Sequence, residues 1–268
     1  MNEQAPLTAE SHSAAGASPD AADLGAEIIA RVESSALQTW PFDHVYLEEF
    51  VPPSWYRRLL DVLPETRRYR EFRHRDAMQP DGTSARRKFY LYPEHLFFLP
   101  ATQRAAWRDV TRALRSPQLQ AAFKRKFQSA LERRFGRRID RLSFYPLLIL
   151  LRDFPGYRID VHGDSLSKAI TVQLYLPAND AQAHLGTVLH ETRDADSERI
   201  KRLAFRPASG YGFPVLRHET WHSVTRTQDA DRERNSIMLT YYVQDGPVGW
   251  LGHRIKRVGL FLAYGLRR

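Results

Sequence analysis

A chain of 268 residues, 43% hydrophobic and 26% charged, is long enough to bury a full core and is ordinary for a globular protein. It contains no cysteine, which excludes thiolate catalysis, cysteine-ligated zinc and iron–sulfur clusters and fits a reducing compartment. The formal net charge is +9, and residues 1–30 hold five acids and no lysine or arginine, so the rest of the chain is more basic still. A basic body attracts phosphates, acidic small molecules, nucleic acid or anionic lipid, or simply keeps the protein soluble.

The opening residues 1–24 are rich in Ala, Ser, Glu, Asp and Pro without apolar period and read as a disordered tail. They lack the basic-then-apolar order of a signal peptide. No apolar run approaches the roughly 18–20 residues needed to span a bilayer, so the expectation is a soluble, cytoplasmic protein. Apolar spacing at Leu24, Ile28, Ile29, Val32 and Leu37 predicts a short helix. An extended stretch over 44–50 follows, then a helix over 55–62 capped by Ser54 and stopped by Pro64. Residues 65–88, dense in arginine around Pro80-Asp81-Gly82, read as an irregular basic loop. An apolar stripe of Trp107, Val110, Leu114, Leu119, Phe123, Phe127 and Leu131 predicts helix over about 101–135, ending at Gly136.

Beyond Gly136 short β-rich segments take over, at 141–152, 168–176, 186–191, 203–207, 210–216, 222–224 and 237–243. Such a series predicts an antiparallel barrel or sandwich. The fold class is thus α+β, with helices over about 25–136 packed on a β core over about 137–248 in one domain. Residues 249–268 form a basic, amphipathic terminal segment.

Most of the ten histidines need no special role, but His162-Gly163-Asp164 is a spaced pair with a carboxylate. On a strand, residues two apart project to the same face and can reach one metal. A third ligand must come from a distant strand, and His222, in Trp221-His222-Ser223-Val224, is the best source; His218, His184 and His190 compete. Two imidazoles and one carboxylate on one side of an iron leave open positions, as in non-haem Fe(II) oxygenases.

The wider context is more specific. Arg152-Asp153-Phe154-Pro155-Gly156-Tyr157 leads into His162-Gly163-Asp164, an alternating strand follows, and then Thr220-Trp221-His222-Ser223-Val224 and Arg234-Asn235-Ser236. Over about 140–245 this order resembles the iron(II)- and 2-oxoglutarate-dependent oxygenases with prolyl-4-hydroxylase-like cores. The resemblance implies a double-stranded β-helix of jelly-roll or cupin type, with Fe(II) held by His162, Asp164 and His222. It implies that Arg234, with Ser236 beside it, binds the distal carboxylate of 2-oxoglutarate, and a guanidinium suits that task because it pairs with carboxylates and stays charged. O2 would be the co-reactant, and succinate and CO2 would be released as an unactivated C–H bond is hydroxylated.

One position departs from the pattern. Many members place a tyrosine nine residues before the first histidine, where this chain has Asp153; Tyr145, Tyr157 and Tyr175 are open as substitutes. Related halogenases lack the ligand carboxylate, so Asp164 argues against halogenation. The implied substrate is a small molecule, acidic or phosphorylated if the arginines of 67–88 form a lid over the site rather than a solvated face. A peptidyl-prolyl or protein hydroxylase is an alternative within the class, and a non-catalytic binding protein on the same barrel is one outside it. The terminal segment could lie on an anionic membrane, although packing on its own barrel is the plainer account. No nucleic-acid-binding signature accompanies the basic charge, so no nucleic acid is expected.

Overall fold

The computed structural model describes residues 21–244 apart from 75, 76, 137, 138, 140 and 141, and in the terminal segment 255, 257–259, 261 and 262. Of the tail expected over 1–24, residues 1–20 lie outside the described residues, as does most of 249–268, whereas 21–24 are helical and Leu24 is buried. Among the described residues of 21–244, six α-helices and eleven strands are ordered as α1 (Ala21–Ser34), β1 (Val45–Leu47), α2 (Pro53–Asp61), β2 (Arg70–Glu71), β3 (Arg86–Tyr90), α3 (Pro93–Leu96), α4 (Ala101–Leu114), α5 (Pro117–Lys126) and α6 (Gln128–Phe135), then β4 (Phe144–Asp153), β5 (Ile159–Gly163), β6 (Lys168–Tyr175), β7 (Thr187–His190), β8 (Ile200–Arg202), β9 (Gly210–Pro214), β10 (Trp221–Val224) and β11 (Arg234–Val243).

The helices form where the apolar stripe runs, with three refinements. The stripe over 101–135 is cut into three helices. Pro117 cannot continue α4 and instead starts α5, where the Ser116 hydroxyl accepts the Leu119 amide as cap. Helix α6 ends at Gly136 with φ of 71°, as its position predicts. The expected Ser54 cap is replaced: Pro52 is the N-cap, with no side-chain capping bond, and Pro53 opens α2 because its fixed φ suits the first turn. Helix α1 also begins earlier than its periodicity suggested, at Ala21.

The strands build two antiparallel sheets, β1-β9-β6-β11-β4-β3-β2 and β5-β10-β7-β8. Period-two alternation divides the larger sheet into two faces. Leu148, Leu150, Ile170, Val172, Leu174, Ile237, Leu239 and Tyr241 pack with Leu24, Trp55, Trp107, Phe123 and Leu131 of the helices. Fully burying each such side chain is worth about 1.5–3 kcal/mol. Helix α5 approaches β9 so closely that a Cβ on Gly212 would lie 3.2 Å from the Phe123 ring. On the opposite face Tyr175, Tyr211 and Phe213 meet Leu189 and Leu203, so the two sheets pack against each other.

The basic stretch 65–88 is not wholly a loop. It contributes β2 and begins β3, which pairs with β4 in the larger sheet. The alternation Arg86, Lys88, Tyr90 against Arg87, Phe89 is a strand pattern that its charges disguise. Residues 203–207 form no strand; β8 lies just before them, ending at Arg202. Among the described residues no helix is long and apolar enough to cross a membrane.

Candidate metal centre and its buried arginine

Strand register places the first cluster. In the β5–β10 pair His162 stands directly opposite His222, and their ring centroids are 4.3 Å apart. Asp164 follows on the same face, and the candidate ligand atoms of His162, Asp164 and His222 all lie within 4.8 Å of one another. Helix α6 secures the turn that carries Asp164, since the Arg134 guanidinium donates to the carbonyls of Leu166, Lys168 and Val215.

The imidazoles are held in one tautomer. His162 Nδ1 lies 3.0 Å from the Asp160 carbonyl and His222 Nδ1 lies 3.1 Å from the Thr220 carbonyl. A carbonyl only accepts, so each Nδ1 carries the proton and each Nε2 keeps its lone pair. Burial outweighs the pull of Asp164 and holds the His222 pKa down at about 4. Burial alone would raise the Asp164 carboxyl, but the Lys168 ammonium, His222 and hydrogen bonds from Lys168 and Thr171 bring it down to about 2. At neutral pH the trio therefore offers a neutral His222 and an ionised Asp164, the protonation states that ligate a divalent cation.

The other histidines weighed as ligands stand elsewhere. His218 is exposed on a turn with φ of 61°, His184 pairs with Asp231 at 2.8 Å, and His190 Nε2 meets the Ser223 hydroxyl at 2.8 Å.

Arg234 opens β11 and is fully buried. Its Nη1 donates to Asp153 at 2.8 Å, its Nε donates to the Leu185 carbonyl at 3.1 Å, and the guanidinium lies over the rings of Phe205 and Tyr175 at 4.5 and 5.4 Å. Its Nη2 is buried with no hydrogen-bond partner. Leaving such a donor unpaired costs about 1–3 kcal/mol, more when charged, so the position is suited to an anionic oxygen from a ligand.

Sequence reasoning did not find the partner of this arginine. Register aligns Arg234 with Asp153 across β11–β4 and Asp153 with Arg86 across β4–β3, making one row on the inner face. The Asp153 carboxylate accepts from Arg86 Nε at 2.5 Å and Nη2 at 2.9 Å as well as from Arg234. All three side chains are buried, and the row carries one positive charge in excess. The departure at Asp153 thus has a local role: its carboxylate holds the Arg234 guanidinium. The signal was present as a charged residue ending an apolar strand, but its partners could be chosen only after β3 was recognised.

Ser236 is buried two residues further on, its hydroxyl accepting from Gln173 at 2.7 Å. Gln173 in turn accepts from Tyr211, Thr187 donates to Tyr211, and Tyr175 donates to Thr187. Of the three tyrosines left open, Tyr175 faces Arg234, Tyr157 lies 3.9 Å beneath the Arg86 guanidinium, and Tyr145 meets the Tyr92 hydroxyl. Beyond this polar network the inner face turns apolar: Tyr90, Tyr92, Ile149 and Leu151 cluster with Leu147 and Met238.

No family profile matches the chain, and no curated protein matches it in sequence. Among solved structures, a prolyl-4-hydroxylase from Pseudomonas putida superposes with a TM-score of 0.51 at 14% identity, covering 81% of this chain and 98% of that one. A Trichoplax adhaerens prolyl hydroxylase in complex with a hypoxia-inducible-factor peptide gives 0.49 at 11% identity, over 81% and 88% of the two chains. A 2OG-Fe(II) oxygenase family oxidoreductase from Burkholderia pseudomallei gives 0.45 at 15% identity, over 88% and 95%. The first likeness establishes the fold: the chain has the 2OG-Fe(II) oxygenase fold that its sequence led one to expect.

Proposed function

We propose that the protein is an Fe(II)- and 2-oxoglutarate-dependent dioxygenase that hydroxylates a small molecule with an apolar surface. The observation that carries this reading is the convergence of His162, Asp164 and His222 within 4.8 Å, with both Nε2 lone pairs free. A 2-His-1-carboxylate set of this kind suits a metal that keeps open positions. When bound there, iron with 2-oxoglutarate and O2 supplies the oxidative decarboxylation to succinate and CO2 that drives C–H hydroxylation.

The chain's own residues do the rest. The carbonyls of Asp160 and Thr220 orient the imidazoles, as outer partners of metal ligands do. Thr171 holds one Asp164 oxygen at 2.6 Å, fixing the carboxylate plane. Arg234 Nη2, clamped through Nη1 by Asp153, receives the distal carboxylate of 2-oxoglutarate and thereby balances the excess positive charge of the row. Ser236, joined to Gln173, lies beside that carboxylate in this reading.

The substrate class follows from the inner face. Across β6, β11 and β4 the register runs Thr171, Thr240, Leu147 and, one row on, Gln173, Met238, Ile149, with Tyr90 next on β3. The row beginning at the Asp164 partner Thr171 therefore leads onto an apolar and aromatic wall. Several arginines that could have greeted an acidic substrate are engaged: Arg67 with Glu65, Arg73 with Glu71, and Arg86 with Asp153. An apolar or aromatic small molecule fits this wall better than a phosphorylated one.

The test is succinate release from 2-oxoglutarate by iron-loaded protein, assayed with a panel of apolar and aromatic small molecules. Wild-type protein should release succinate, and His162→Ala and His222→Ala should not while melting as folded proteins. Equal release by either variant would remove that residue from the site. No release by well-folded, iron-bound wild type would favour a binding protein on the same fold.

A further inference from the structure

We infer that the face formed by α3, α4 and the terminal helical residues is a docking surface for an anionic phospholipid bilayer. The inference stands on surface features and is independent of the metal reading.

Ile255, Arg257, Val258, Gly259, Phe261 and Leu262 are helical. Ile255, Val258 and Leu262, spaced i, i+3, i+7 on one helix face, are 64%, 58% and 54% exposed. A helix packed for its own sake would turn such a stripe inward; here it faces solvent. The helix is anchored by its other side, where Phe261 stacks on Phe98 at 5.9 Å and Arg257 pairs with Glu94. Phe97, beside Phe98, is 64% exposed. Of the eight large hydrophobic residues exposed among the described residues, five belong to this one face. Scattered singly they would need no explanation; gathered, they mark an interaction surface.

The same face is strongly basic. Arg104, Arg108, Arg112 and Arg115 recur along one side of α4 and its end, and with Phe97 and Arg257 they line a groove of about 640 Å³. Asp109 lies 3.6 Å from Arg112 and Glu94 takes Arg257, whereas Arg104, Arg108 and Arg115 form no ion pair among the described residues. An exposed apolar stripe flanked by unneutralised guanidinium groups is complementary to an anionic bilayer: the stripe enters the acyl boundary and the arginines meet the phosphates. A free anion would use the arginines and leave the stripe unexplained.

The experiment is co-sedimentation of the full chain with vesicles of phosphatidylcholine alone and of phosphatidylcholine mixed with phosphatidylglycerol, at low and high salt. Binding is expected to the mixed vesicles only, and to fall as salt rises. Arg104→Ala/Arg108→Ala should weaken it about 25-fold, since each arginine near an anionic surface contributes about fivefold. Val258→Asp/Leu262→Asp should remove it, with thermal melts and Fe(II) binding unchanged in both variants. Equal binding to both vesicle types, or none to either, would overturn the inference. So would a concentration-dependent dimer abolished by Val258→Asp/Leu262→Asp without vesicle binding, which would make this face an interface between copies.

Discussion

Asp153→Asn removes one charge and keeps the shape, and it strikes the row in which a single carboxylate holds two buried guanidinium groups. In the variant, Arg86 and Arg234 face each other across a neutral amide with no anion between them. Taking one partner from a buried ion pair costs about 3–5 kcal/mol, because the charge left behind is neither solvated nor compensated. With total stabilities of about 5–15 kcal/mol, this is a large fraction of what holds the chain folded. At about 2–4 °C per kcal/mol for chains of this general size, the melting temperature should fall by about 6–20 °C. Thermal melts and urea unfolding measure the loss. The double variant Arg86→Met/Asp153→Asn should be less destabilised than the two single changes summed, since it also removes one orphaned charge. At a temperature where both proteins are folded, Asp153→Asn should raise the 2-oxoglutarate requirement at least about tenfold, because Arg234 loses the contact that aims Nη2. A variant within about 1 kcal/mol of wild type, with an unchanged requirement, would refute the reasoning.

Other consequences are equally open to measurement. His222 in the unfolded chain takes a proton near its ordinary 6.5, but the folded site resists until about 4. The metal-free protein should therefore lose about 3 kcal/mol as pH falls from 6.5 to 4, and His222→Gln should flatten that slope in urea unfolding across the same range. Lys168→Met frees Asp164 from a competing ammonium and should tighten Mn(II) binding at least about tenfold by calorimetry; weaker binding would show that the lysine holds the carboxylate in place. Gly186→Ala would set a Cβ 1.4 Å from the Leu203 carbonyl oxygen, a backbone atom. It should leave little soluble folded protein at 37 °C, and a wild-type melt would contradict the close approach.

The mix of helices and antiparallel strands and the spaced pair His162 and Asp164 were legible because both rest on local pattern, whereas His222, on the distant strand β10, was picked out by the wider resemblance. Alternation marks β6 and β11, and His162-Gly163-Asp164 puts two donors on one face wherever a strand carries them. The sequence carried less where the decisive contact was remote. Strand β3 was hidden because Arg86 and Lys88 occupy its inward positions, which a hydrophobic pattern scores as loop. Arg86 is buried only because Asp153, 67 residues away, pairs with it. The same gap obscured Asp153, which the resemblance marked as a departure without supplying its partners. The cut between α4 and α5 was missed for a different reason: the apolar stripe continues across Pro117 even though the helix cannot. The exposed stripe at Ile255, Val258 and Leu262 looked amphipathic in sequence, but which side it presents depends on Phe98 and Glu94.

The most direct test of the central claim is anaerobic titration of metal-free protein with Fe(II) and then 2-oxoglutarate, followed in the visible range. Wild type should develop the weak charge-transfer band of a 2-oxoglutarate chelate. His222→Ala should show none, and Arg234→Ala should need far more 2-oxoglutarate to reach it. A folded wild-type protein that binds Fe(II) yet develops no band at saturating 2-oxoglutarate would contradict the account.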